Sequence, residues 1–146
     1  MGNGGSASEA QHIAAEFVGR MRRERKALSA LALTTDTSIL TAVANDWDFD
    51  QIFARQIEAL CSSGDVVIGL SGSGNSSNLL NGLEAARAKG AMTIVCTGTP
   101  PNQMIEMADL AIAFPTKNTA RAQEMHLLMW HTICEMVDDT LIGNNS

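Results

Sequence analysis

The run LSGSGNSSNLL, Leu70 to Leu80, follows directly on the apolar segment DVVIGL and constrains this chain more than any other stretch. Strand, glycine-rich turn, then helix is the order that builds an anion cradle, because the turn exposes backbone N–H groups and the helix start adds the positive end of its dipole. Ser71, Ser73 and Ser76 add hydroxyl donors without a fixed charge, with Gly72 between the first two. That chemistry suits a phosphate monoester on a small molecule. No Lys-Ser/Thr follows the glycines as in a P-loop, and no G-x-G-x-x-G is present, so a nucleotide is the less expected ligand.

The elements around this loop alternate. Ser6 and Glu9 have capping-box spacing for a helix running from the GNGGS turn to about Arg25, where RMRRERK reads as a solvated helix end offsetting the helix dipole. Leu28 to Leu33 reads as a short strand and ILTAVAND as a helix. Asp48 is placed to cap FDQIFARQIEAL, whose Phe49, Ile52, Phe53, Ile57 and Leu60 recur at helical spacing and predict a core-facing helix. VVIGL and MTIVCTG read as strands with a helix from Asn78 to Lys89 between them. A short helix around Gln103 to Met107, the strand LAIAF closed by Pro115, and a long helix from Thr119 to about Asp138 complete the chain.

Short apolar strands alternating with helices predict an α/β domain, a three-layer αβα sandwich with a mainly parallel sheet, and the 146 residues predict one domain over 1–146. Ligands in such sheets sit at the carboxyl ends of the strands, where the Ser71 to Ser76 loop falls. GNGGS reads as another turn of the strand-to-helix kind with only Met1 before it, so the expected sheet lacks its first strand and the helix before that strand.

A net charge of −6 argues against a nucleic-acid or membrane-surface partner. No apolar run approaches the about 20 residues that span a bilayer. Cys61, Cys96 and Cys134 are odd in number and form no C-x-x-C pair, which fits buried thiols in a reducing cytoplasm better than a disulfide framework.

All three histidines fall on the first and last helices. His12 and Glu16 are four apart on one face, and Gln123, Leu127 and His131 form an i, i+4, i+8 row. A Glu/His pair is what aldose–ketose isomerisation needs, a base for the proton beside the carbonyl and an acid for the oxygens. The same His12, Glu16, Gln123 and His131 are also an N/O donor set for a divalent metal such as zinc. His126 lies off the row and is expected to be structural or to support the site.

GNGGSASEAQHIAAEF, LALTTDTSILTAVANDWDFDQIFARQIEAL, GDVVIGLSGSGNSSNLLNGLEAARAKG and TARAQEMHLLMWH together resemble the sugar isomerase (SIS) family, and within it the phosphoheptose isomerases, over nearly the whole chain. The resemblance implies a flavodoxin-like (Rossmann-like) sandwich. It implies interconversion of D-sedoheptulose 7-phosphate and D-glycero-D-manno-heptose 7-phosphate on the way to ADP-heptose for lipopolysaccharide cores. Glu16 would be the base and His131 the acid; Ser71, Gly72, Ser73 and Ser76 would hold the phosphate; Asn3, Gly4, Ser6 and Asp46 would line the sugar site; Gln123 would contact substrate or metal. One zinc per subunit and a homotetramer with sites between subunits are also implied. SIS proteins of the same build include non-catalytic protein-binding factors, one of which associates with a replication initiator, and a sugar-phosphate sensor would use the same loop. Retention of both Glu16 and His131 favours the enzyme.

Overall fold

Both faces of the central strand are dry, and this fixes the layering. In the computed structural model, which describes residues 1–142, β1 (Val66–Ser71), β2 (Met92–Thr97) and β3 (Leu110–Ala113) form a parallel sheet in the order β1-β2-β3. Adjacent residues Val95 and Cys96 of β2 point to opposite faces, and neither is exposed. Continuously apolar parallel strands need cover on both sides.

One face is covered by α1 (Gly5–Val18) and α6 (Thr119–Ile142), which bury Ala10, Ile13 and Trp130 against Leu70 and Cys96. The other is covered by α3 (Ala54–Leu60), α4 (Ser77–Ala88) and α5 (Gln103–Met107). There Phe53, Ile57, Leu79, Leu83 and Met104 pack on Val95, with α2 (Thr37–Asp46) contributing Val43. Each of these large side chains stabilises the fold by about 1.5–3 kcal/mol relative to exposure. Gly69 lets the second layer approach, since a Cβ there would lie 2.8 Å from Met104 Cε.

Side-chain caps mark the boundaries. The Asp36 side chain accepts from the Ile39 N–H at the start of α2, and Asn102 accepts from the Ile105 N–H at the start of α5. Gly90, at φ 75°, turns the chain after α4.

The expected sandwich and parallel sheet are present, with four corrections. The first helix stops at Val18 instead of Arg25. The Ser6/Glu9 capping box does not form: Gly4 is the cap residue, with no side-chain cap, and Glu9 is buried. Leu28 to Leu33 is irregular, because its backbone finds no ladder partner; Leu28 N–H donates instead to the Phe17 carbonyl. FDQIFARQIEAL divides into a 3₁₀ turn, Phe49–Gln51, capped by Asp48, and α3, so Phe49 and Leu60 are exposed while Ile52, Phe53 and Ile57 enter the core.

The strand expected ahead of GNGGS is represented by Met1 and Gly2. Gly2 bridges Leu70 in parallel, the Leu70 N–H donates to the Met1 carbonyl, and the Met1 amino group donates to the Ile68 carbonyl at 2.7 Å. The GNGGS turn thus lies at the carboxyl end of the sheet, beside the serine loop.

Candidate active site

The serine loop leaves β1 at Ser71 and enters α4 at Ser77. Its shape is set from within and from below. Ser71 Oγ accepts from the Gly74 N–H at 3.0 Å and lies 3.3 Å from Ser73 Oγ. Asn75 binds the Ser73 carbonyl with its amide and accepts from the Gln103 N–H. Gly74 has φ 68°, and a Cβ there would lie 2.2 Å from the Asn102 side chain, so this position requires glycine twice over. Gly72 packs against Thr119 at the start of α6.

The three serines therefore divide. Ser71 is buried and braces the loop, Ser73 is exposed, and Ser76 is the cap residue of α4 without using its side chain as a cap. The first-turn N–H groups of α4 have no intrahelical acceptor by position. Ser73 and Ser76 are thus the more accessible hydroxyls of the loop, at the start of α4.

Beside this loop stands the start of α1. Asn3 and Asn78 exchange two amide hydrogen bonds, each 2.9 Å, which hold the GNGGS turn to the first turn of α4. Gly4 caps α1, and Ser6 is buried with its N–H donating to the Asn3 carbonyl. The Gln123 amide lies against Gly5, where a Cβ would meet it at 2.5 Å. Gln123 therefore belongs with the α1 start.

Further along the same pair of helices, His12 Nε2 lies 3.2 Å from Glu16 Oε1 and 3.0 Å from His131 Nε2. Donor atoms of all three fall within 4.8 Å of one another. A single Nε2 proton on His12 cannot point at both neighbours, whereas a divalent cation accepts a lone pair from each. Two imidazoles and a carboxylate fit zinc, with a fourth position left open. Of the four expected ligands, the chain brings these three together. The Gln123 amide lies against Gly5, seven residues before His12 on α1.

Asp46 is exposed at the end of α2 and accepts a hydrogen bond from the Asn45 amide. The depression lined by Arg87, Gly90, Ala91, Met92 and Asp109 is at the amino ends of the strands, opposite the serine loop.

No sequence signal announced the partners of His126 or of the Arg20–Lys26 run. His126 is fully buried, its Nδ1 3.5 Å from Glu9 Oε1 and its ring against Phe114, so the pair is an internal feature of the α1–α6 contact. The run Arg20–Lys26 is not a simple solvated end: Arg22 and Arg23 reach Glu135 and Asp139, and Arg25 is buried against Asp138. All three cysteines are buried; burial pushes the Cys96 thiol up to about 12 and the Cys134 thiol up to about 11. Among the described residues no helix is long and apolar enough to cross a membrane.

The SIS domain model matches residues 1–98, which carry the α1 start, the His12/Glu16 pair and the serine loop. The chain belongs to the SIS domain family. It is 52% identical over 140 residues to the phosphoheptose isomerase of Aliarcobacter butzleri, covering 96% of this chain and 74% of that one. It is 53% identical over 140 residues to the phosphoheptose isomerase of a Roseiflexus species, covering 96% and 71%. The solved phosphoheptose isomerase of Neisseria gonorrhoeae superposes with a TM-score of 0.89 at 43% identity, covering 95% of this chain and 74% of that chain. The Francisella tularensis phosphoheptose isomerase gives 0.90 at 35% identity, covering 94% and 74%. The fold is thus that of solved SIS proteins named as phosphoheptose isomerases.

Proposed function

We propose that this chain is an aldose–ketose isomerase converting D-sedoheptulose 7-phosphate to D-glycero-D-manno-heptose 7-phosphate, a step towards ADP-heptose. The observation that carries the reading is the meeting of the Glu16 carboxylate and the His131 imidazole on two helices that begin beside a serine loop, in a chain about half identical to phosphoheptose isomerases.

The ester phosphate sits on Ser73, Ser76 and the α4 start. The sugar carbons extend towards α1, past Gly4 and Gln123. Glu16 takes a proton from C1 of the ketose while His131 donates one to the C2 carbonyl oxygen, giving an enediol. Return of the proton to C2, with loss of the O1 proton, forms the aldose. Atoms and charge balance, and no redox partner is required.

His12, Glu16 and His131 are the residues that would hold zinc, and bound zinc would supply Lewis-acid polarisation of substrate oxygens.

The assembly is a homotetramer in the cytoplasm. Leu128, Met136 and Leu141 of α6 are 61%, 62% and 58% exposed, an apolar load that a second copy would cover. Asp46, exposed at the end of α2, is then available to a site shared between copies.

The test is turnover of sedoheptulose 7-phosphate against six-carbon ketose phosphates, with light scattering on the same sample. Selective turnover of the seven-carbon ester supports the reading. Binding of the ester with no isomerisation would overturn it in favour of a sensor.

A further inference from the structure

Arg25 closes the carboxyl end of α1 and ties it to α6. Its Nη2 donates to the Glu16 carbonyl at 2.7 Å and its Nη1 to the Phe17 carbonyl at 2.9 Å, while Nε donates to Asp138 Oδ1. Because α1 ends at Val18, these carbonyls belong to the last turn, which has no intrahelical N–H to offer them. The Arg25 and Asp138 side chains are each 4% exposed.

The location of this clamp gives it meaning. Glu16 presents its carbonyl to Arg25 and its carboxylate to His12. Asp138 lies seven residues beyond His131 on α6, about two turns along the same helix. Between them, the buried Cys134 thiol feels the charges of Glu16, Asp138 and Arg25, which places all four in one neighbourhood. Fold stability alone does not call for such a pair, since a buried ion pair is often matched or bettered by apolar side chains of similar volume. Asp138 Oδ2 moreover has no hydrogen-bond partner.

We propose that Arg25, held by Asp138, is a positioning residue that sets the spacing and rotation of α1 against α6, and so the placement of Glu16 relative to His131. This rests on the reading of Glu16 and His131 as base and acid. A planar fork suits the task, because one rigid group spans two carbonyls and a carboxylate, whereas lysine offers only a point charge.

The test uses the full chain with Arg25→Lys and, in case that variant folds poorly, Asp138→Asn. Misplacement of a reacting group by about 1 Å costs on the order of 100-fold. The expected result is therefore a kcat lowered about 10- to 100-fold, with KM for sedoheptulose 7-phosphate within about threefold, and faster amide exchange confined to the last turn of α1. A wild-type kcat in both variants, or a loss fully accounted for by the unfolded fraction, would overturn the proposal. Unchanged exchange in the α1 end would overturn it whether or not the wild type turns over substrate. Absence of turnover in the wild type itself would instead overturn the functional reading.

Discussion

Asn3 and Asn78, 75 residues apart, face each other amide to amide, and each donates one 2.9 Å hydrogen bond to the other. Asn78 is 2% exposed and sits in the first turn of α4; Asn3 lies in the turn that enters α1. The pair registers two helix starts, so the GNGGS turn and the first turn of α4 keep a fixed relative position.

Breaking the pair leaves a half-buried amide without its partner, which costs about 1–3 kcal/mol. Asn78→Ala is expected to lose that much in urea denaturation, and Asn3→Ala somewhat less. Because both remove the same interaction, the double variant should lose clearly less than the two losses added together. Additive losses would show that the amides stabilise the fold separately.

Glu16→Gln keeps the shape of the side chain but cannot take a proton. A positioned general base contributes about 100- to 10,000-fold, so kcat should fall by that order while sugar-phosphate binding is largely retained. Near-native turnover would rule out Glu16 as the base.

The sheet and the serine loop were legible in the sequence because their signals are local. An apolar run, a Ser/Gly turn and a following helix are contiguous, and the spacings of His12 with Glu16 and of Gln123 with His131 are fixed by helix geometry. What was hidden depended on contacts between distant elements. Arg25 read as a solvated charge because its partner Asp138 is 113 residues away, and Glu9 read as a capping residue because nothing local announced His126. Gln123 shares a helical row with His131, and no local pattern announced that its amide would lie against Gly5. Leu28 to Leu33 has the composition of a strand and lacks a partner edge, a fact no window of sequence contains.

Asp109 provides a pH-dependent test of the β2–β3 junction. The Thr93 N–H and Oγ–H each donate to Asp109 Oδ2 at 2.7 Å, and these bonds hold its carboxyl below the ordinary 3.8. A folded-state value below the unfolded one means that the ionised group stabilises the fold above the unfolded value, and that this is lost as pH falls through the lower folded value. Asp109→Asn should therefore melt below the wild type at pH 7, with the gap closing once pH drops beneath 3.8. A gap independent of pH would exclude the carboxylate as its source.

The convergence of His12, Glu16 and His131 makes zinc content a direct test of the proposed metal site. Protein purified without a histidine tag is expected to hold about one zinc per chain, and His12→Gln and His131→Gln should each lower that content, because three protein donors leave little to spare. Wild-type metal content near zero, with full activity in chelator, would make any bound metal incidental.

Ser73 and Ser71 should behave differently, although both stand in the same loop. Ser73 is exposed and its Oγ makes only long hydrogen bonds, to Ser71 Oγ at 3.3 Å and from the Asn75 N–H at 3.4 Å, so Ser73→Ala should remove a donor to an incoming phosphate at a smaller cost to the loop than Ser71→Ala. A hydrogen bond to a charged group contributes about 1.5–3 kcal/mol, so affinity for sedoheptulose 7-phosphate should fall roughly 10- to 100-fold, with binding of the unphosphorylated ketose unchanged. Ser71→Ala takes the acceptor from the Gly74 N–H inside the loop and should lower the thermal midpoint as well as the affinity. Calorimetric titration with both ligands, beside melting curves, separates the two. Equal losses of ester and free sugar in Ser73→Ala would show that the loop does not read the phosphate.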